Sequence, residues 1–130
     1  MVSRGYNKFV KIRGWCLFLL ALAGMAGPQL RNANFDIFFE PTAVLQSGTE
    51  IRFDITVKDA LHNPVHGAQV TLQVETPEHE HTKVYRATEM QPGLYMAKPV
   101  FPEKGRWEVY VEARRDDEMS ARTTEYYVPK

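Results

Sequence analysis

Of 130 residues only one is a cysteine, Cys16, and it sits near the N-terminus inside an apolar stretch. A product that loses this stretch has no disulfide and no thiolate to bind a metal or attack a substrate. Lipidation of Cys16 is not expected either, because Gly14 and Trp15 stand before it where that signal needs Leu and small residues. The sequence also lacks a Gly-x-Ser-x-Gly elbow, a His-Glu-x-x-His helix and a phosphate-binding loop. Acidic pairs such as Glu108 and Glu112 fall on the outward phase of a strand pattern, where solubility accounts for them. The chain is therefore expected not to be an enzyme.

Excess positive charge is missing too. The 16 Lys and Arg balance the 16 Asp and Glu, but Arg4, Lys8, Lys11 and Arg13 all precede the apolar run. The remainder thus carries 12 basic against 16 acidic residues, a net charge of −4. A mildly acidic body has no electrostatic footprint for a phosphate backbone, so nucleic acid is not expected as a partner. No hydrophobic run is long: Trp15 to Ala26 is 12 residues, closed by Pro28 and Gln29, whereas a spanning helix needs about 20.

What is present at the N-terminus is a basic segment followed by that apolar run, the order of a secretory leader. Small residues allow cleavage after Ala23 or after Ala26, and both remain open. The expectation is export to a periplasmic or extracellular site, with residues 1–26 as signal peptide or short membrane anchor and 27–130 as one domain. Contact with the membrane is expected only through the leader, if it stays uncleaved.

The body shows strict period-two alternation. Ile51, Phe53, Ile55 and Val57 share one side against Arg52, Asp54 and Thr56. Ala68, Val70, Leu72 and Val74 repeat the pattern, as do Trp107, Val109, Val111 and Ala113. Weaker strands are expected at Asn34–Phe39, Thr82–Glu89, Leu94–Phe101 and Thr123–Val128, making about seven. Turn residues at Gln46-Ser47-Gly48, His62-Asn63-Pro64, Gln91-Pro92-Gly93, Glu103-Lys104-Gly105 and Arg115-Asp116-Asp117 separate them. Pro92-Gly93 suits a type II turn. A hairpin between Leu94–Phe101 and Trp107–Ala113 is expected, with Lys104-Gly105 near its tip. The fold class is all-β: a single immunoglobulin-like β-sandwich of about seven antiparallel strands behind an N-terminal signal or hydrophobic helix.

The phrasing Asp59-Ala60-Leu61-His62-Asn63-Pro64-Val65-His66-Gly67-Ala68, with Pro92-Gly93-Leu94-Tyr95 and Gly105-Arg106-Trp107-Glu108-Val109 downstream, resembles the YtkA-like and FixH-like family of exported or membrane-anchored immunoglobulin-like domains. The likeness runs from about Thr42 to Ala113. Asn63 stands where such turns often have glycine, and Asn also tolerates the left-handed conformation. The resemblance implies an extracytoplasmic accessory domain and, in some relatives, an association with copper delivery or oxidase assembly. The short leader, in place of a full membrane helix, fits the YtkA-like side better.

Four histidines, His62, His66, His79 and His81, fall in connections or at strand ends, and Met90 and Met96 flank the Pro92-Gly93 turn. Imidazole and thioether together suit copper. In an extended chain His79 and His81 project to one face, which makes them the first candidates for a shared metal. The ordinary reading makes them solvated loop residues, with Met90 or Met96 completing the core. Trp107 and Tyr95 lie on the inner phase and are expected to fill the core. Tyr110, Tyr126 and Tyr127 have a phase that exposes one or two rings. Arg114 to Glu118 is expected to be a self-neutralising solvated turn. The function this supports is an accessory domain of the cell envelope that binds a protein partner or handles copper. The alternative is a purely structural interaction module with no metal site.

Overall fold

The computed structural model describes residues 30–129, so the leader with Cys16 lies outside the described residues. Among the described residues there are nine strands: β1 (Arg31–Asn32), β2 (Asp36–Pro41), β3 (Phe53–Lys58), β4 (Gln69–Glu75), β5 (Thr82–Arg86), β6 (Thr88–Gln91), β7 (Leu94–Ala97), β8 (Gly105–Arg115) and β9 (Glu118–Val128). They form a five-stranded sheet in the order β1-β9-β8-β4-β5 and a four-stranded sheet in the order β2-β3-β7-β6. One apolar core lies between the sheets, drawing Ile37, Phe39, Phe53, Ile55 and Tyr95 from one and Val70, Leu72, Trp107, Val109 and Val111 from the other. The inward positions are those of the period-two pattern, since a half-buried strand must place alternate side chains on the core.

The topology is four antiparallel hairpins in chain order, β2–β3, β4–β5, β6–β7 and β8–β9, dealt alternately to the two sheets. Before the first hairpin and between each pair the chain crosses from sheet to sheet. At the first crossing the Ala33 N–H bonds to the Met119 carbonyl (2.8 Å). Ser120 Oγ then donates to the Ala33 carbonyl (2.6 Å) and accepts from the Phe35 N–H (3.2 Å), holding the corner where the chain leaves β1, beside β9, for β2.

The hairpin expected between Leu94–Phe101 and Trp107–Ala113 does not form. β7 pairs with β3 and β6, whereas β8 pairs with β4 and β9, so the two belong to different sheets. The strand stops at Ala97, and the segment through Pro99, Phe101 and Pro102 carries the chain across the core instead. Prolines have no N–H to give a ladder, and seven residues span the roughly 10 Å between packed sheets. Phe101 is fully buried in this crossing and packs edge-on against Trp107, with ring centroids 5.6 Å apart. The single strand expected over Thr82–Glu89 is likewise two, because the chain changes sheet at Ala87. With β1, which alternation in a two-residue strand cannot signal, these changes raise seven strands to nine.

Inner-phase aromatics behave as expected. Trp107 is buried and donates its Nε1–H to the Glu103 carbonyl (2.9 Å). Tyr126 is half-buried and meets Phe53 edge-on at 5.6 Å, Tyr110 is half-buried, and Tyr127 is exposed. Asp116-Asp117 is the β8–β9 turn, where Asp116 takes φ 57°. Arg115 beside it lies over the Phe35 ring at 5.5 Å rather than facing only solvent.

Gly93, in the β6–β7 turn, has φ +83° and is buried beneath the 59–68 crossing. A Cβ there would stand 2.5 Å from Pro64 Cβ and 3.2 Å from the Val57 carbonyl. Gly48 has a similar φ of +78° but open space around it. Gly93→Ala is therefore expected to destabilise the domain by about 3 kcal/mol or more, strain and overlap together, against about 1 kcal/mol for Gly48→Ala, which carries strain alone. Urea unfolding of the two variants checks this; equal losses would show that the Pro64 contact contributes nothing.

Candidate functional site

All four histidines lie in connections, but the fold distributes them between opposite ends of the domain. The register of β4 with β5 and β8 puts the β4–β5 turn, with His79 and His81, at the end where β8 begins. The β3–β4 crossing, with His62 and His66, lies at the other end, beside the β6–β7 turn.

The β4–β5 connection is a turn and not the extended chain from which a shared face for His79 and His81 was expected. Pro77 occupies the second position of a turn closed by the His79 N–H on the Thr76 carbonyl (2.9 Å), and His79 then takes φ 62°. Thr76 Oγ1 accepts the N–H groups of Glu80 (3.1 Å) and His81 (3.3 Å) and fixes the return. Each imidazole has its own carboxylate: His79 Nδ1 pairs with Glu75, and His81 Nε2 lies 2.9 Å from Glu103 Oε2. The His81 ring also lies 6.4 Å from that of Trp107. Two shallow depressions adjoin His81. One, of about 280 Å3, is rimmed by Glu78, Glu80, Glu103, Lys104 and Arg106. The other, of about 320 Å3, runs toward Lys83, Tyr85, Val100 and Pro102.

At the opposite end Asp59 organises the turn. Its Oδ1 accepts the N–H groups of Leu61 and Asn63, both at 2.9 Å, and its carbonyl accepts the His62 N–H (2.9 Å). The left-handed residue is His62, at φ 68°, and not Asn63 as expected from the resemblance. Histidine is among the non-glycine residues that enter this region more readily, which gives His62 and His79 a common backbone role. His66 Nδ1 lies 2.9 Å from Glu89 Oε2, and the same carboxylate accepts the Gly67 N–H at 3.2 Å. The buried Tyr95 hydroxyl donates to the Val65 carbonyl (2.7 Å) and accepts the Ala68 N–H (3.0 Å).

Met90 is about half exposed and so does not complete the core, while Met96, paired in register with Asp54, is partly covered on β7. Among the described residues no three of His, Cys, Asp and Glu come together as a metal centre. The carboxylate partners Glu75, Glu89 and Glu103 were not candidates from sequence. Glu75 stands four residues before His79 and was within reach of a local reading; Glu89 and Glu103 are 23 and 22 residues from their partners and needed the fold.

Two carboxyls at the His62 and His66 end, Asp59 and Glu89, are each held below their own ordinary value. The Asn63 N–H is the main cause for Asp59, opposed by desolvation and helped by the Leu61 N–H. For Glu89 desolvation pushes upward but is outweighed by the hydrogen bonds from His66 and Gly67. A folded-state value below the unfolded one adds stability that is complete above the unfolded value and is lost as pH falls through the folded one. The thermal midpoint should therefore fall from about pH 5 toward pH 3, and less steeply in an Asp59→Asn, Glu89→Gln double variant. Melting curves across that range check it; identical slopes would remove these two groups from the acid limb.

No curated protein matches the chain in sequence. The model of one protein family, described as YtkA-like, matches residues 29–112. That span holds β1 to β7, most of β8, both histidine-bearing ends and the Tyr95 and Gly93 contacts, and it is well over half of the chain. The chain belongs to the YtkA-like family.

Proposed function

We propose that this chain is an exported, non-enzymatic accessory domain of the cell envelope that works by binding a protein partner. The observation that carries the binding reading is how the polar chemistry is spent. The aromatic residues most suited to a ligand pocket, Trp107 and Tyr95, are consumed in the core with their polar atoms bonded to backbone. Three of the four imidazoles are tied to carboxylates at the surface, and both depressions are shallow with charged residues on their rims. Such a surface suits recognition of another macromolecule better than turnover of a small substrate. The immunoglobulin-like description belongs to the same reading; alternate dealing of hairpins to two sheets supports it. Export is supported by the basic and then apolar order of the leader.

A second reading, copper handling, is favoured by one local arrangement. His66 and Glu89 are already paired, and Met90, next in the chain, is exposed, so nitrogen, oxygen and sulfur donors lie along one edge.

Expression of the full chain in a bacterial host with a two-membrane envelope, followed by fractionation and intact mass, tests export. Recovery outside the cytoplasm with Gly24 or Gly27 as the new N-terminus, or held at the membrane with the leader intact, is the expected result. Full-length chain in the cytosolic fraction would overturn it. Titration of the purified protein with Cu(I), Cu(II) and Zn(II), repeated with His66→Ala, Met90→Ala, His79→Ala and His81→Ala, separates the readings. Copper handling requires saturable binding that at least one substitution abolishes, and binding indifferent to all four removes it.

A further inference from the structure

The sheet edges are not equally protected. The free side of β9 is met near its start by the two residues of β1 and by the Ala33 bond to Met119. On β2 the outward Ile37 carbonyl is taken by Arg122 (2.8 Å). β6 is four residues long and its register shifts between Glu89 and Gln91, which breaks the ladder a new strand would need. β5, at the other end of the five-stranded sheet, is a regular edge of five residues with no register shift.

Its phase is fixed by the bonds that flank it. The Thr76 N–H bonds to the His81 carbonyl and the Ala87 N–H to the Val70 carbonyl, and antiparallel pairing alternates from there. Lys83 and Tyr85 thus turn their backbone groups to β4, while Thr82, Val84 and Arg86 turn theirs outward. Among the described residues no strand pairs with that outward side. Val84 on this edge is 57% exposed.

The charge on the edge is distinctive. Lys83 and Arg86 are exposed, and among the described residues neither forms a salt bridge, although the body as a whole is net acidic. Two copies paired through β5 would bring four such cations together on strands that have no acid of their own, which disfavours self-association. An acidic strand meets the opposite condition. Beside the edge, Lys83 and Tyr85 border the depression of about 320 Å3, whose turn end holds Glu80 and His81 and whose Val100 and Pro102 wall leaves room for an apolar side chain from the inward phase of an added strand.

We propose that the free edge of β5 docks an extended acidic segment of a partner protein, which adds as a further strand with an apolar residue beside Val84 and carboxylates beside Lys83 and Arg86. This rests on the binding-domain reading above and names the partner's chemistry.

The test uses the purified protein and a synthetic acetylated peptide, Thr-Glu-Val-Val-Glu-Thr, whose glutamates fall on opposite faces as Lys83 and Arg86 do and whose valines lie beside Val84 and Tyr85, with a counterpart carrying Lys in place of Glu. The expected result is saturable binding of the acidic peptide, with amide hydrogen exchange slowed at Thr82, Val84 and Arg86. Val84→Pro removes one outward N–H and leaves the β4 pairing in place, and should weaken binding by about ten-fold or more. A Lys83→Glu, Arg86→Glu variant should reverse the preference between the two peptides. Amide spectra of each variant confirm that the rest of the domain is folded. The proposal is overturned by any of four results: no saturation by about 1 mM peptide, equal affinity for both peptides, indifference to Val84→Pro, or a dimer held through β5. None of these bears on the fractionation result, and cytosolic retention of the chain would leave the peptide measurement intact, so the two readings fail separately.

Discussion

A phenol buried at one end of the core holds the connection on which the sheet assignment depends. Tyr95 lies on β7 in the four-stranded sheet, yet its hydroxyl bridges the carbonyl of Val65 and the N–H of Ala68, in the segment that carries the chain to the five-stranded sheet. Both groups would otherwise be main-chain polar atoms without a partner in an apolar setting, at a cost of about 1–3 kcal/mol each. The same segment is seated by the bond between the Val65 N–H and the Val57 carbonyl and by the contact of Pro64 with Gly93. Its route is thereby set between β3 and β4. With β4 placed, β8 and β5 have their partners, and the five-stranded sheet follows.

The ends of the domain show how polar residues are used when the core admits none. No polar or charged side chain is buried among the described residues, and the two buried polar-tipped aromatics bond to backbone. Charge is confined to the rims. There the imidazoles serve two purposes: His62 and His79 occupy left-handed positions, while His66, His79 and His81 pair with Glu89, Glu75 and Glu103. The histidine spacing that suggests a shared metal in an extended chain has a local geometric explanation once the turn is seen. Pairing with β1, the Arg122 bond on β2 and the register shift of β6 set how open each other edge is. β5 keeps its outward backbone groups, and its cations disfavour a second copy and suit an acid-bearing strand.

Much of the architecture was legible along the chain. Alternation at Ile51 to Val57, Val70 to Val74 and Trp107 to Ala113 identified the strands and the faces they bury, because the period of a strand is a local property. Pro92-Gly93 was readable as a tight turn, and Gly93 does take positive φ. The residues that close the turns, such as Asp59 and Thr76, are of the types whose side chains bond the backbone nearby. The charge asymmetry between leader and body was likewise a matter of order in the chain.

Other features needed the third dimension. Nothing local distinguishes the route of Leu94–Phe101 into a hairpin with Trp107–Ala113 from a crossing to the other sheet; the partners of β7 lie on β3 and β6, and those of β8 on β4 and β9. The pairing of His81 with Glu103 and of His66 with Glu89 joins residues more than twenty positions apart, and the exposure of β5 is a consequence of sheet order. By itself the sequence determined which residues are strand, which face they bury and where the chain turns, since alternation and turn chemistry act between near neighbours. The tertiary structure alone decided which sheet each strand joins and which polar groups meet, because those depend on contacts between distant segments that no local pattern encodes.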